Sequence, residues 1–237
     1  MKKKILSLAL VVALVAIMVS GTLAYFTAED EVTNTFTIGS VKIEIYENDK
    51  ATEEDVYDLG VLTPVVNTEN PAEDVSYIAK VVDVKNIGEN DAYIRTHIAI
   101  PTKLVNYLYL DLDETDWTRQ PDSSATVDGV EYTVFTFDYD NAIAKDEFTS
   151  ELLKGVYLGS DVDLEEDKNG SLWFVRKENG KIVDQSGYLA HTKDADGNYT
   201  SNTVNILVAS QAIQADGFTN VATDALNTGF TGNPWAN

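Results

Sequence analysis

The sequence predicts a mainly β protein, an antiparallel β-sandwich with a few short helices, and three observations support this. Apolar and polar residues alternate with a period of two along much of the chain. Turn-forming pairs such as Asn179-Gly180 separate the alternating runs. Helical spacing of apolar residues occurs in two short segments, near 148–153 and 221–226. Many strands joined by turns favour a sandwich over a barrel enzyme.

The N-terminus has the layout of a secretory signal peptide. Lysines at positions 2 to 4 precede an apolar run over 5–19, and small residues follow that run. A permanent membrane anchor is the alternative, because about 20 apolar residues can span a bilayer. The small-x-small pair Thr22 and Ala24 favours cleavage, which we expect between Ala24 and Tyr25. Residues 1–24 are therefore predicted to be the signal peptide, and 25–237 a single β-sandwich domain.

The composition agrees with export and excludes some functions. The chain has 237 residues and no cysteine, so it can form no disulfide and carries no thiol nucleophile. Removing the three leader lysines leaves 14 Lys and Arg against 39 Asp and Glu, a net charge of −25. Phosphate contacts need Lys and Arg, so we predict no nucleic-acid partner. The charge favours solubility and attracts cations.

The first strands follow from alternation. The run VKIEIY places three aliphatic residues on one face: Val41, Ile43 and Ile45. Phe36 and Ile38 have the opposite parity, and a bulge or bend at Gly39-Ser40 would let both halves face one core. The stretch 77–100 then predicts a hairpin of two strands around a turn at 86–91. Its second strand carries Ala92, Ile94, Thr96, Ile98 and Ile100 on one face, and Tyr93, Arg95 and His97 on the other.

The rest of the domain mixes strands with two short helices. Residues 131–139 alternate as a strand, and Asn179-Gly180 predicts a hairpin. AKDEFTSELLKG spaces Phe148, Leu152 and Leu153 as in a helix that stops at Gly155. TVNILVASQAI, over 203–213, is apolar on both faces and predicts a central strand. A second helical stripe ends at Gly229 and contains Val221, Ala225 and Leu226. The segment from about 106 to 189 is a candidate insertion.

Four stretches together resemble the TasA/camelysin family of Gram-positive bacteria. They are the basic and apolar leader with GTLAYFT, then NTFTIGSVKIEI, VVDVKNIGENDAYIRTHIAI and VASQAIQADGF. The resemblance covers both ends of the domain, with a weakly matched middle. It implies a leader read by an endoplasmic-reticulum-type signal peptidase and a jelly-roll-like β-sandwich. It also implies a secreted biofilm matrix fibre protein, at the extracellular matrix or cell surface, with copies of itself and other matrix components as partners.

The resemblance also raises the question of a metal, because camelysin is described as a casein-cleaving metalloprotease. A zinc hydrolase needs converging His or carboxylate ligands, typically HExxH. The chain has two histidines, His97 and His191, and no HExxH. We interpret both as ordinary, partly exposed histidines. We therefore expect no enzymatic activity, no catalytic residue and no zinc site.

Calcium fits the sequence better than zinc. DADGN offers side-chain oxygens at alternate positions, from Asp194, Asp196 and Asn198. The loop lacks the EF-hand order, and Asp-Gly is also a hairpin signal. A tight turn between strands is the favoured interpretation, with a calcium site as the alternative. No cofactor is expected to be required.

Three function classes follow: a fibre subunit or accessory fibre protein, a surface binding module, and a camelysin-like metalloprotease. A binding module for glycan or host protein would use aromatic residues such as Tyr93, Tyr107, Tyr109 and Trp117. The fibre protein is favoured, because the protease lacks a ligand set and aromatic residues in an alternating β-domain mostly belong to its core.

The N-terminal segment 25–38 is predicted to be a strand that each subunit donates to the next. Adding a partner's strand satisfies an exposed sheet edge, and alternating side chains fill pockets. The pocket-filling candidates are Tyr25, Phe26, Val32, Phe36 and Ile38. Glu29, Asp30 and Glu31 suit a solvated hinge. Such a head-to-tail contact does not close on itself, so it yields filaments.

Overall fold

A computed structural model describes residues 27–30, 41–47, 50–51, 63–67, 69–218 and 221–236. The leader, the predicted cleavage site and the pocket-filling candidates Tyr25, Phe26, Val32, Phe36 and Ile38 lie outside these residues. Their roles therefore stay predictions. Within the described ranges, no helix is both long enough and apolar enough to cross a membrane.

The described chain is mainly β, as the sequence predicts, with its strands in three antiparallel sheets. The first sheet has the order β1 (Thr27–Asp30), β15 (Leu207–Gln214), β5 (Ala92–Pro101) and β9 (Val130–Tyr139), with β7 (Trp117–Arg119) and β8 (Ser123–Val127) both pairing with β9. The second has the order β3 (Lys50–Ala51), β2 (Ile43–Glu47), β4 (Ile78–Asn86), β10 (Leu153–Leu158) and β6 (Leu108–Leu112). The third has the order β11 (Val162–Glu166), β12 (Leu172–Glu178), β13 (Lys181–Lys193) and β14 (Tyr199–Ser201).

Three short helical segments complete the described elements. Two are 3₁₀ turns, at Pro71–Glu73 and Thr102–Leu104. The α-helix α1 spans Ala222–Gly229, and its last residue matches the predicted stop at Gly229. Ala225 and Leu226 of the predicted stripe are buried, whereas Val221 precedes the helix and is exposed.

The main core lies between the first two sheets, which gives the sandwich its two layers. Inward residues of the second sheet include Val41, Ile43 and Ile45 on the predicted face, and they share one apolar cluster with Ile94, Ile98 and Phe137 of the first sheet. The third sheet adds Val162, Phe174 and Ala190 to the same cluster. Strands of the segment 106–189 occur in all three sheets.

Two features predicted from local sequence are confirmed. β12 and β13 form the hairpin at Asn179-Gly180, where both residues have positive φ, 50° and 73°. This is the backbone that a two-residue hairpin turn demands, and Asn and Gly adopt it most readily. β15 is a central strand, flanked by β5 and β1.

The predicted hairpin over 77–100 is wrong, although its turn exists. β4 and β5 lie in different sheets, so the turn carries the chain from one layer of the sandwich to the other. Asn86 stabilises this turn through its side chain, which donates to the carbonyls of Asn90 and Ile143 and accepts from the Gly88 amide. Both strands still point their apolar faces at one core, which is why alternation alone could not distinguish the two arrangements.

The predicted helix over Phe148, Leu152 and Leu153 is also wrong. The backbone amides of Thr149 and Leu152 donate to carbonyls of β4, at 2.9 Å each, instead of to their own segment. β10 begins at Leu153, and a register shift between Leu153 and Gly155 accompanies the burial of both leucines. Two adjacent buried side chains imitate helical spacing when a strand carries a bulge.

Candidate functional site

The outer face of the first sheet carries polar side chains that the structure buries. Arg95 and His97 share this face of β5 with Tyr93, as predicted, and His97 is only 1% exposed. The expectation of a partly exposed His97 is therefore wrong. The C-terminal segment covers this face: α1 packs over Tyr93 and Ile213, and the Trp235 ring meets His97 edge to face at 6.3 Å. Spacing along β5 predicts which residues share the face, but not that a distant segment lies over it.

Arg95 forms a buried ion pair that links two strands to the helix. Its Nε donates to Asp138 Oδ1 at 2.6 Å, and its Nη2 donates to Asp138 Oδ2 at 2.9 Å. Nη2 also donates to Asn227 Oδ1 on α1, at 2.7 Å. Two parallel contacts to one carboxylate give the pair a fixed geometry. The cluster thereby holds β5, β9 and α1 in one arrangement.

His97 is a neutral structural residue in this arrangement. Its Nε2 lies 3.0 Å from Gln211 Oε1, and its Nδ1 lies 2.9 Å from Thr136 Oγ1. An amide oxygen can only accept, so Nε2 carries the proton and Nδ1 accepts from the hydroxyl. Burial lowers the pKa of His97 to about 4. Both ring nitrogens are occupied, which leaves no lone pair for a metal.

His191 lies far from this cluster in the fold, on β13 of the third sheet. Its Nδ1 is 3.1 Å from the Ser201 hydroxyl on β14, and it is partly exposed as predicted. The two histidines thus belong to different sheets. Across the described residues, no group of three or more His, Cys, Asp or Glu could hold a metal ion.

The DADGN stretch forms the turn between β13 and β14, which confirms the favoured interpretation. Asp194 Oδ1 accepts from the backbone amides of Asp196 and Asn198, at 2.9 and 2.8 Å. Its Oδ2 accepts from the Asn198 side chain at 3.2 Å. The hydrogen bonds from Asn198 and Asp196 lower the pKa of Asp194. Of the three residues proposed as calcium ligands, Asp194 therefore already uses both of its side-chain oxygens within the turn.

The aromatic residues proposed for a binding surface differ in their exposure to solvent. Tyr93, Tyr107 and Trp117 are buried in apolar clusters, so the structure removes them as ligand contacts. Tyr109 is 40% exposed on β6. It stands in a row with Tyr157 and Tyr77, two residues that sequence reasoning missed. The available signal was GVYLG, which places Tyr157 between two glycines on one strand face.

The N-terminal strand β1 closes one edge of the first sheet. It runs antiparallel to β15, with Thr27 opposite Ile213, Ala28 opposite Ala212, Glu29 opposite Gln211 and Asp30 opposite Ser210. Glu29 and Asp30 therefore belong to a paired strand and not to the expected hinge, whereas Glu31 is outside the described residues. Without β1, the backbone of β15 would form an open edge, which is the kind of surface that recruits another strand.

Comparison of the chain with protein-family models, with curated proteins and with solved structures found no match.

Proposed function

We propose that this protein is a secreted structural protein, a subunit or accessory component of extracellular biofilm matrix fibres, which assembles head to tail by exchange of its N-terminal strand. The observation that carries the proposal is the pairing of β1. This strand has four residues and, in the part of the chain that is described, pairs with β15 alone. The resemblance to the TasA/camelysin family supports the same function.

The position of β1 suits exchange because releasing this strand breaks few contacts. It lies at a sheet edge, so releasing it breaks one strand pairing and leaves β15, β5 and β9 joined. Residues 31–40 connect β1 to the segment that enters β2 in the second sheet. Ten residues can span at most about 35 Å, and this length sets how far β1 could reach toward a neighbouring molecule. The same backbone hydrogen bonds would form within one chain or between two chains.

Exchange of this kind converts a monomer into a filament. Each subunit donates β1 at one place and accepts a neighbour's β1 along β15, so donor and acceptor surfaces differ. The net charge of −25 after leader removal opposes assembly at neutral pH and low salt. Acid, salt or divalent cations are expected to promote growth by reducing this repulsion.

The other two function classes receive less support. A surface binding module is the alternative, and Tyr109 is its remaining exposed aromatic candidate among the four proposed from sequence. A camelysin-like metalloprotease has the weakest basis, since His97 and His191 lie in different sheets and His97 is buried. We assign no enzymatic activity.

Cysteine trapping tests strand exchange directly, because the chain has no cysteine of its own. Ala28 lies opposite Ala212 in the β1–β15 pair. Directly opposite residues in an antiparallel pair have Cα atoms about 4.5 to 5.5 Å apart, within reach of a disulfide. One variant carries Ala28→Cys, and a second variant, lengthened by a tag, carries Ala212→Cys. Filaments grown from their mixture and then oxidised should yield a disulfide-linked dimer of the two variants.

Two controls make this result specific. The first control mixes Asp30→Cys with Gln214→Cys. These two positions are four residues out of register, about 13 Å apart along the strand, and should not cross-link. Deleting residues 25–30 should leave a folded, soluble monomer that forms no filament. Filaments of normal appearance from the deletion variant would overturn the proposal. The proposal would also be overturned if a chain carrying both Ala28→Cys and Ala212→Cys formed the disulfide within itself while the mixture of single variants never cross-linked between chains.

A further inference from the structure

A row of three tyrosines crosses the outer face of the second sheet. Tyr157 on β10 stands directly opposite Tyr109 on β6, and Tyr77 directly precedes β4 on the other side. The ring centroids of Tyr157 and Tyr109 are 5.5 Å apart, and their planes differ by 16°. Those of Tyr77 and Tyr157 are 6.2 Å apart at an angle of 29°. The rings of this tyrosine row therefore pack on one another, and any chemistry between them takes place within one chain.

In the part of the chain that the structure describes, contacts between two tyrosine rings are confined to this row. Elsewhere the neighbour of a tyrosine ring is a phenylalanine, a tryptophan or a histidine, namely Phe148, Phe174, Trp117 and His191. Oxidation can join two neighbouring phenols, because a phenoxyl radical carries much of its unpaired electron on the ring carbons next to the C–O carbon. The tyrosine row is therefore where the fold brings the two partners of such a reaction together.

Tyr109 and Tyr157 are the better-placed pair of the row. They stand directly opposite each other on neighbouring strands, where Cβ atoms lie about 4.5–5.5 Å apart. Tyr77 is held in a different way, because its hydroxyl donates to Asp111 Oδ2 at 2.7 Å and its ring fills the space over Gly155. Tyr109 is 40% exposed, so an oxidant in solution reaches its ring.

A bond between the two rings requires them to turn from their stacked arrangement until two ring edges meet, and Gly159 leaves room for that turn. A Cβ on Gly159 would lie 2.8 Å from Tyr109 Cε2, one of the two carbons next to the C–O carbon. Gly159 does not have a positive φ, so its backbone conformation does not require glycine. The absence of a side chain at this position therefore keeps the reactive edge of Tyr109 uncrowded.

We propose that Tyr109 and Tyr157 form a dityrosine cross-link within one chain. A one-electron oxidant, such as a haem peroxidase that consumes hydrogen peroxide, takes one electron from each phenol, and each hydroxyl proton passes to solvent. The two radicals form a bond between a Cε carbon of Tyr109 and a Cε carbon of Tyr157. The hydrogen on each of these carbons then moves to its phenolic oxygen through water, which restores both aromatic rings. In total the pair loses two protons and two electrons, which reduce hydrogen peroxide to water.

The cross-link gives the domain a covalent tie that cysteine cannot supply, since the chain has no cysteine. It joins β6 to β10 and closes a loop over 109–157, which includes β7, β8 and β9 of the first sheet. A link that closes a loop restricts the unfolded chain and thereby raises the free energy of unfolding. The net charge of −25 after leader removal keeps copies apart at low salt, which favours a link within one chain. This inference does not rest on strand exchange, because the tyrosine row lies in the second sheet and β1 in the first.

Oxidation of the dilute secreted protein at low salt, with a haem peroxidase and hydrogen peroxide, tests the proposal. The monomer should gain dityrosine fluorescence and lose the mass of two hydrogen atoms, and peptide mapping should find residues 109 and 157 linked. The urea midpoint of the linked monomer should rise. Tyr109→Phe and Tyr157→Phe should each lose the link, although both variants keep the stacked ring. N-acetyltyrosine amide, oxidised in a parallel sample, shows that the oxidant is active.

Tyr199→Phe is the matched control, because Tyr199 is 45% exposed and its ring meets His191 instead of another tyrosine. This variant and Tyr77→Phe should form the link in the same yield as the unchanged protein. Circular dichroism confirms that each variant is folded. A monomer without dityrosine under conditions that couple N-acetyltyrosine amide, or a link that survives in Tyr109→Phe, would overturn the proposal. So would a link to Tyr77, or dityrosine found only in covalent dimers, since Tyr109 would then react with a second copy.

Discussion

Replacing Asp138 by alanine removes the carboxylate from a buried ion pair and leaves Arg95 behind. The side chains of Arg95 and Asp138 are 6% and 0% exposed, so water cannot take the place of the carboxylate. Removing one partner of such a pair costs about 3–5 kcal/mol of unfolding free energy. In a domain of this size each kcal/mol shifts the melting temperature by about 2–4 °C. We expect a loss of about 6–20 °C.

Circular dichroism with thermal and urea unfolding measures this loss, and the chain offers a matched control. Arg119 and Asp122 form an ion pair whose side chains are 43% and 45% exposed. Asp122→Ala should cost at most about 1 kcal/mol, because solvent screens an exposed pair. Hydrogen exchange should also rise in α1 of the Asp138→Ala variant, since Asn227 bonds to the same guanidinium.

Equal losses below about 1 kcal/mol for the two variants would refute the reasoning, because Arg95 would then be solvated. The double replacement Arg95→Met with Asp138→Leu distinguishes the cost of a buried, unpaired charge from the cost of a general packing defect. It removes both charges together and should recover most of the stability lost in Asp138→Ala.

Four further predictions concern pH, the leader, proteolysis and calcium. The pKa of His97 falls from 6.5 to about 4 on folding, so the unfolded chain binds more protons between these pH values. The free energy of unfolding should therefore fall by on the order of 3 kcal/mol as the pH drops from 6.5 to 4. The urea midpoint of His97→Gln should lack this pH-dependent loss. Identical pH profiles for the two proteins would contradict the prediction. N-terminal sequencing of the secreted protein should begin at Tyr25, whereas an intact leader would show that it is an anchor. Casein should stay intact with or without zinc, and hydrolysis that disappears in His97→Ala or His191→Ala would show that the protein is a protease. Calcium should raise the melting temperature only modestly, because Asp194 already bonds within its own turn, and complete unfolding in chelator would show a structural calcium ion.

The sequence determined the features that depend on a few neighbouring residues. Alternation placed Ile94 and Ile98 on the core face of β5 and Arg95 on the opposite face, because side chains of a strand point to its two faces in turn. Asn179-Gly180 determined a hairpin, because positive φ at both residues is a local demand. These interactions act within a few residues, so one sequence is enough to predict them.

Only the tertiary structure decided which surfaces meet. Alternation cannot show that β4 and β5 lie in different sheets, or that Trp235 packs against His97, since the two residues are more than a hundred positions apart. The same holds for the tyrosine row, whose members lie on or beside three strands that pair only in the folded chain. Burial and strand partnership are set by long-range packing of the whole domain, and a local pattern is compatible with several such packings.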